Sequence, residues 1–239
     1  MLTLFAKDPA TKNRFGVVKY VNFIVLVLTM ASLHVQGQTA ASATGPVIDN
    51  ERVAVWDIVL TPGQPASLQR YENDFVTLFL VGGEIRTTDV NGKASVVSRN
   101  FGDAVYSKKG TEEREEVISG SPARLIVVEL KDHPVPALVN KSGYPAAFPR
   151  PGSKNVLDNE RVAVWNYTWA PEVPTPMHYH DKDIVVVFRF EGSLKSTTPD
   201  GQSVVNDYKF GSIRFNKGDR VHFETLVKGQ QSAMMIELK

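Results

Sequence analysis

From residue 47 to the end of the chain, short β-branched and aromatic runs recur, among them ERVAVW, FVTLFLV, IVVVFRF, SVVN and ARLIVVEL. Turn signals of the PG, GG, NG, DG and KG type separate them at intervals of about 8 to 12 residues, the spacing of an all-β sandwich or barrel. No long amphipathic helical period interrupts the pattern. Asn91-Gly92 and Asp200-Gly201 both suit the φ > 0 of a two-residue hairpin.

The pattern is written twice. Val47 to Trp56 reads VIDNERVAVW and Val156 to Trp165 reads VLDNERVAVW, nine matches in ten at an offset of 109. Carried on to Gly102 and Gly211, that offset gives 20 identities in 56 positions, mostly turn formers and core apolar residues. At the end of each copy the offset is 108, VVELK meeting MIELK, which places a one-residue change near SKKGTEE and FNKGDRV. Two tandem domains follow, over 45–132 and 154–239. Between them His133 to Gly152 holds five prolines and two glycines, so 133–153 reads as a linker without regular structure.

Ahead of the repeat, Lys7, Lys12, Arg14 and Lys19 oppose a single Asp8. An apolar run from Tyr20 to Leu33 follows, then the small and polar stretch QGQTAASATG. The run is shorter than the ~20 residues of a spanning helix, so residues 1–42 read as a secretory signal peptide with a long basic region, a retained N-terminal anchor being the alternative. Either reading places the folded part in a secreted or periplasmic location.

The 239 residues carry 27 Lys plus Arg, 26 Asp plus Glu and no cysteine. Disulfide frameworks, thiolate-held zinc or iron–sulfur clusters and thiol nucleophiles are therefore excluded. A net charge of +1 with no Lys/Arg cluster gives no reason to expect a nucleic-acid partner, and no membrane contact is expected beyond the N-terminal segment. Metal chemistry, if present, falls to His and carboxylate.

Of five histidines, His34 lies in the leader and His133 in the linker, and the other three lie in the second copy. His178 and His180 are two apart, so on an extended strand both imidazoles point to one face. His222 follows the KGD turn on a later strand. Three neutral imidazoles converging inside a β-barrel are a suitable nitrogen set for Zn, Fe, Mn, Ni or Cu with coordination positions left open.

At these residues the sequence resembles the cupin superfamily, and the duplication makes it similar to a bicupin. The second copy supplies His178-Tyr179-His180 with the closing Gly192, then Gly211 and His222 at the family spacing. Four positions depart from the pattern. Glu172 stands where the first motif glycine would be, the turn glycine is Gly218 in place of residue 219, and Leu226 replaces the final Asn. The family's carboxylate ligand falls on Ile184 or Val185, with Asp183 one residue short. The resemblance thus implies two antiparallel jelly-roll barrels, a three-His metal site of His178, His180 and His222 without carboxylate, and a homodimer through sheet edges.

Two further residues are candidates for chemistry. If residue 185 faces the pocket, strand alternation puts Val187 and Arg189 there too, and a guanidinium beside a metal suits a carboxylate or other oxyanion. Glu224, two beyond His222 and matched by Glu116, is a candidate acid, base or orienter of a ligand histidine. Tyr208 and Lys217 are weaker candidates. Trp56 and Trp165 read as core, and Trp169 as a pocket-rim aromatic. The first copy has Gln69 and Tyr71 at the positions of His178 and His180, and Glu113 or Arg114 at that of His222, so it lacks an imidazole site. Its TEEREE run, Thr111 to Glu116, reads as a solvated turn and strand edge.

The resemblance admits dioxygenases, isomerases, decarboxylases and lyases. The sequence therefore supports a metal-dependent enzyme acting on a small organic acid or sugar acid, with a non-enzymatic small-molecule or metal-binding module as the alternative.

Overall fold

The computed structural model describes residues 45–66, 68–133 and 135–239. The segment 1–42, expected to be a signal peptide or anchor, lies outside them, and among the described residues no helix is long and apolar enough to cross a membrane. The first half holds β1 (Ile48–Asp49), β2 (Val53–Leu60), β3 (Gln69–Arg70), β4 (Asp74–Val81), β5 (Gly83–Asp89), β6 (Ala94–Arg99), β7 (Ala104–Ser107), β8 (Glu112–Val117) and β9 (Ala123–Leu130). The second holds β10 (Lys154–Asp158), β11 (Val162–Trp169), β12 (His178–His180), β13 (Ile184–Phe188), β14 (Gly192–Thr197), β15 (Ser203–Tyr208), β16 (Ile213–Asn216), β17 (Arg220–Gly229) and β18 (Gln231–Leu238).

Each half is a five-stranded sheet facing a four-stranded one. The orders are β1-β2-β9-β4-β7 with β3-β8-β5-β6, and β10-β11-β18-β13-β16 with β12-β17-β14-β15. Adding nine to a strand number in the first half gives its counterpart in the second, so the duplicated sequence folds twice in one topology. The two hairpins at the glycine turns differ from expectation. Asp89 pairs with Lys93 and Thr198 with Gln202, so each loop has three residues, with Gly92 and Gly201 at φ of 79° and 84° in the last position. That is the three-residue hairpin ending on a left-handed glycine.

Register also relocates the length difference between the copies. Gln69 faces Glu113 as His178 faces His222, and Ile85 faces Val117 as Leu194 faces Leu226, so the offset of 109 still holds through β8 and β17. Leu60 facing Ala123 and Trp169 facing Gln231 then give 108, so the extra residue lies in the β8–β9 connection. The KG turns keep register despite their shifted glycines, because Asp219 takes the left-handed conformation (φ 58°) that Gly110 takes (φ 76°).

Alternation along the five-stranded sheets divides the apolar side chains between two cores. Val76, Leu78 and Leu80 of β4, with Val53, Val55, Ile126 and Val128, pack against Val162, Val164, Val185, Val187, Met234 and Ile236 of the other half. All of these are 2% exposed or less. Fully burying such a side chain is worth roughly 1.5–3 kcal/mol, so this layer holds the two halves together. The opposite faces fill the barrels. Leu60, Phe79, Ile85, Val117 and Leu125 pack inside the first, and Ile184, Val186, Phe188, Leu194 and Met235 inside the second. Polar residues lock the seam. The Arg189 guanidinium lies 3.7 Å from the Phe101 ring of the first half, and Arg124 lies 5.3 Å from the Phe210 ring of the second.

Candidate metal centre

β12 lies antiparallel to β17, with His178 directly opposite His222 and His180 opposite Arg220. The two-residue spacing turns His178 and His180 to the barrel interior, where they are 1% and 5% exposed. The three ring centroids are 4.8–5.1 Å apart, and the ligand nitrogens lie within 4.8 Å of one another. Among the described residues this is the only group of three or more His, Cys, Asp or Glu close enough to share an ion.

The surroundings fix protonation. Burial, with Arg150 nearby, holds His178 down at about 4, and burial with Arg220 and Arg150 holds His222 at about 3. Burial and the charge of His222 hold His180 well below the usual imidazole value. All three rings are thus neutral near pH 7, the form that donates a lone pair. His178 Nδ1–H donates to the Pro176 carbonyl at 2.8 Å, which leaves Nε2 as the acceptor nitrogen, turned toward Arg150 Nη1. His222 Nδ1 meets the Ser196 hydroxyl at 3.0 Å. His180 Nδ1 is buried without a partner, and its Nε2 faces His222 Nε2 at 3.2 Å. Backbone and hydroxyl partners that orient imidazoles are the usual outer support of a metal ligand. Bonds of ~2.0–2.1 Å need nitrogens no more than about 4.2 Å apart, so the set fits an ion after a small closure of the widest pair. The Nε2 atoms of His180 and His222, facing each other at 3.2 Å, carry the lone pairs that an ion would use.

No carboxylate joins the cluster. Ile184 packs inside the barrel and Val185 in the seam between halves. Asp183 accepts from the Gly218 N–H and pairs with Arg52 of the first half at 3.3 Å. Glu224 does line the same cavity, where its Oε2 accepts from the Trp169 indole N–H at 3.1 Å. Its counterpart is Glu115 rather than Glu116, since Thr87 faces Glu115 as Ser196 faces Glu224.

Arg189 is placed elsewhere. The even-numbered residues Ile184, Val186 and Phe188 face the cavity, so the odd-numbered face of β13 looks to the other half. Arg189 follows that parity, stacking on Phe101 and donating to Asn166 Oδ1 at 2.9 Å. The expectation failed because a continuous apolar strand buried on both faces carries no alternation from which to read its inward side. Tyr208 lines the cavity and stacks on Phe188, whereas Lys217 is exposed and pairs with Glu51. Trp169 lines the cavity at 2% exposure, and Trp165 stacks on Phe148 of the linker.

The linker supplies a residue that its composition gave no reason to single out. Ala146 bridges to Tyr179, Phe148 is buried, and Arg150 enters the cavity at 8% exposure. Arg150 Nη1–H donates to His178 Nε2 at 3.0 Å, and its guanidinium lies over the Tyr167 ring at 4.1 Å. The cavity, about 200 Å³, is also bordered by Arg214 and Arg220. In the first barrel, Gln69 faces Glu113 where His178 faces His222. The TEEREE run there forms an inner strand between β3 and β5, in place of the solvated edge expected. Burial raises Glu113, and burial together with Glu113 raises Glu115 to about 7.

No family model and no curated protein matches the sequence. Solved structures do. A cupin 2 conserved barrel domain protein from Leptotrichia buccalis superposes with a TM-score of 0.53 at 12% identity, over 84% of this chain and 91% of that one. The fold is that of a bicupin. Oxalate decarboxylase from Bacillus subtilis superposes with this bicupin chain as well. One variant of it gives a TM-score of 0.57 at 12% identity, over 80% of this chain and 69% of that one. A second structure of that enzyme, whose subject is its Mn(II) centers, gives 0.55 at 13% identity, over 79% and 69%. At such identities the likeness carries the fold alone. Among the described residues, the two left-handed non-glycine residues, Glu172 (φ 59°) and Asp219, stand at the positions where the cupin pattern has glycine.

Proposed function

We propose that this bicupin is a metal-dependent enzyme whose C-terminal barrel holds one divalent ion, Fe, Mn, Zn, Ni or Cu, on His178, His180 and His222, and that it acts on a small organic acid or sugar acid. The observation that carries the proposal is three neutral, inward-facing imidazoles from two paired strands with ligand nitrogens within 4.8 Å of one another, two of them, His180 and His222, lining a cavity of about 200 Å³. Bound there, an ion would supply Lewis acidity, with redox chemistry added if the metal has two accessible oxidation states. Mn is one member of the set because a structurally similar oxalate decarboxylase has Mn(II) centers.

The chain's own residues would orient the substrate and exclude water. Trp169, Phe188 and Tyr208 form an apolar wall, while Arg150, Arg214 and Arg220 favour an anion. Glu224 is the carboxylate in reach of a bound molecule, its Oε2 fixed by the Trp169 indole, and is the candidate for holding or moving a proton. The reaction is of the dioxygenase, isomerase, decarboxylase or lyase type. The basic, then apolar N-terminal pattern supports export, with the site secreted or periplasmic. One observation favours the second reading, a non-enzymatic binding module: Glu224 accepts from the Trp169 indole and lies 3.7 Å from the Arg150 charge, leaving few groups free for proton transfer.

The test is metal analysis of the full chain purified without chelator or polyhistidine tag. About one ion per chain, lost in the His178→Ala, His180→Ala double variant, is the expected result, and no stoichiometric ion would overturn the proposal. Product formation or oxygen uptake with a panel of small acids then separates enzyme from binder.

A further inference from the structure

We infer that Arg150, delivered by the inter-barrel linker, is the anchor of a small carboxylate ligand in the C-terminal barrel, meeting the two carboxylate oxygens with Nε–H and Nη2–H. The inference rests on the reading of this cavity as the ligand site and is drawn for the metal-free protein, in which His178 Nε2 accepts from Arg150 Nη1–H.

Arg150 is among the most enclosed charges in the chain, its side chain only 4% exposed. Of its three nitrogens, Nη1 donates to His178, while Nε and Nη2 are buried with no hydrogen-bond partner. Those two nitrogens share one edge of the planar guanidinium, and their N–H bonds run parallel at the spacing of the two oxygens of a carboxylate. Stacking on Tyr167 at 4.1 Å and on Phe148 at 4.8 Å fixes the plane and therefore the direction of the empty edge. Buried donors without acceptors are disfavoured, and one aligned pair of them calls for a two-oxygen acceptor.

The rest of the cavity agrees in charge and size. Arg150, Arg214 and Arg220 outnumber Glu224 around it while the histidines are neutral. Glu224 is the nearest built-in competitor, yet its Oε2 stops 3.7 Å from Nη2, outside hydrogen-bond range, and is held back by the Trp169 indole. At about 30 Å³ per water, a 200 Å³ space holds roughly seven water-sized groups, the bulk of a three- to five-carbon acid.

The experiment uses the full chain freed of metal with a chelator that is then removed, and malonate as probe. Malonamide is the neutral control of equal size, and inorganic phosphate is the tetrahedral one. We expect saturable malonate binding by calorimetry, no malonamide binding, and at least tenfold weaker malonate binding in both Arg150→Gln and Arg150→Lys. The Lys variant keeps the charge without the parallel donors, and its response separates the fork from simple attraction. Glu224→Gln removes the competing charge and should tighten malonate binding several-fold. Equal binding of malonamide, undiminished malonate binding in either Arg150 variant, or phosphate binding tighter than malonate with the same Arg150 dependence would each overturn the assignment. Metal content is measured separately on the same protein as purified, before any chelator is added. Malonate binding without stoichiometric metal would sink the metal-enzyme reading and leave this one standing, and metal without malonate binding would do the reverse.

Discussion

Replacing His178 and His222 by Gln in the metal-free protein should flatten the acid side of its stability profile. In the folded chain His178 titrates at about 4 and His222 at about 3, while in the unfolded chain both titrate near 6.5. Folded values below unfolded ones mean that the unfolded state binds more protons as pH falls through 6.5, so stability is lost from there down to the folded values. At pH 5 the unfolded imidazoles are almost fully charged and the folded ones are not, a difference of about 2 kcal/mol for each residue and about 4 kcal/mol for the pair. The raw profile alone would not reveal it. Glu115, raised to about 7, has the opposite sign: its contribution is present below 4.5 and is lost as pH rises through 7. The informative quantity is the difference between wild type and the double variant, measured by urea unfolding at pH 7.5 and 5.0 on chelator-treated protein. The variant should lose about 4 kcal/mol less on acidification. A difference under about 1 kcal/mol would show that these rings are not buried neutral, and the picture of a preformed lone-pair cluster would fail.

Three other outcomes follow from the packing. Gly211→Ala places a methyl about 2.5 Å from the Arg124 guanidinium at a φ of 79°, and Arg124 cannot easily yield because it grips Asp57 through two hydrogen bonds of 2.9 and 2.6 Å. It should cost ~1–3 kcal/mol in denaturant unfolding. Arg189→Ala should leave metal content and malonate binding unchanged while lowering stability by ~0.5–2 kcal/mol through loss of its stacking on Phe101, measured by thermal melting. Ile236→Ala empties a position with no solvent exposure between the halves and should cost ~2–5 kcal/mol, with unfolding of both halves followed by tryptophan fluorescence.

The strands and their duplication were open to reading because turn glycines and β-branched runs are local signals. Two imidazoles two residues apart on a strand likewise share a face by geometry alone, which is why His178 and His180 come together. What lay beyond reach depends on partners distant in sequence. Val185 and Val187 are as apolar as Ile184 and Val186, so nothing in IVVVF says which side meets the other half, and Arg189 went with the wrong one. The β8–β9 length change is visible only through register, because two acidic residues stand side by side at Glu115 and Glu116 and either aligns with Glu224. Arg150 follows Phe148 and Pro149 in a segment whose prolines argue against regular structure. They do so correctly, yet an irregular segment can still be buried against a barrel wall.

That burial ties the cavity to the way the two halves are joined. Severing the chain at Ser153 would yield a C-terminal piece with His178, His180 and His222 but no Arg150, Phe148 or bridge to Tyr179. Such a fragment would hold an open bowl where the intact chain has a walled chamber, and any dissection of the protein must start the second barrel near Pro145. Fusion of two barrels thus did more than place them side by side: the seam became a working part, and neither its length nor its sequence is free to drift as a spacer's would be.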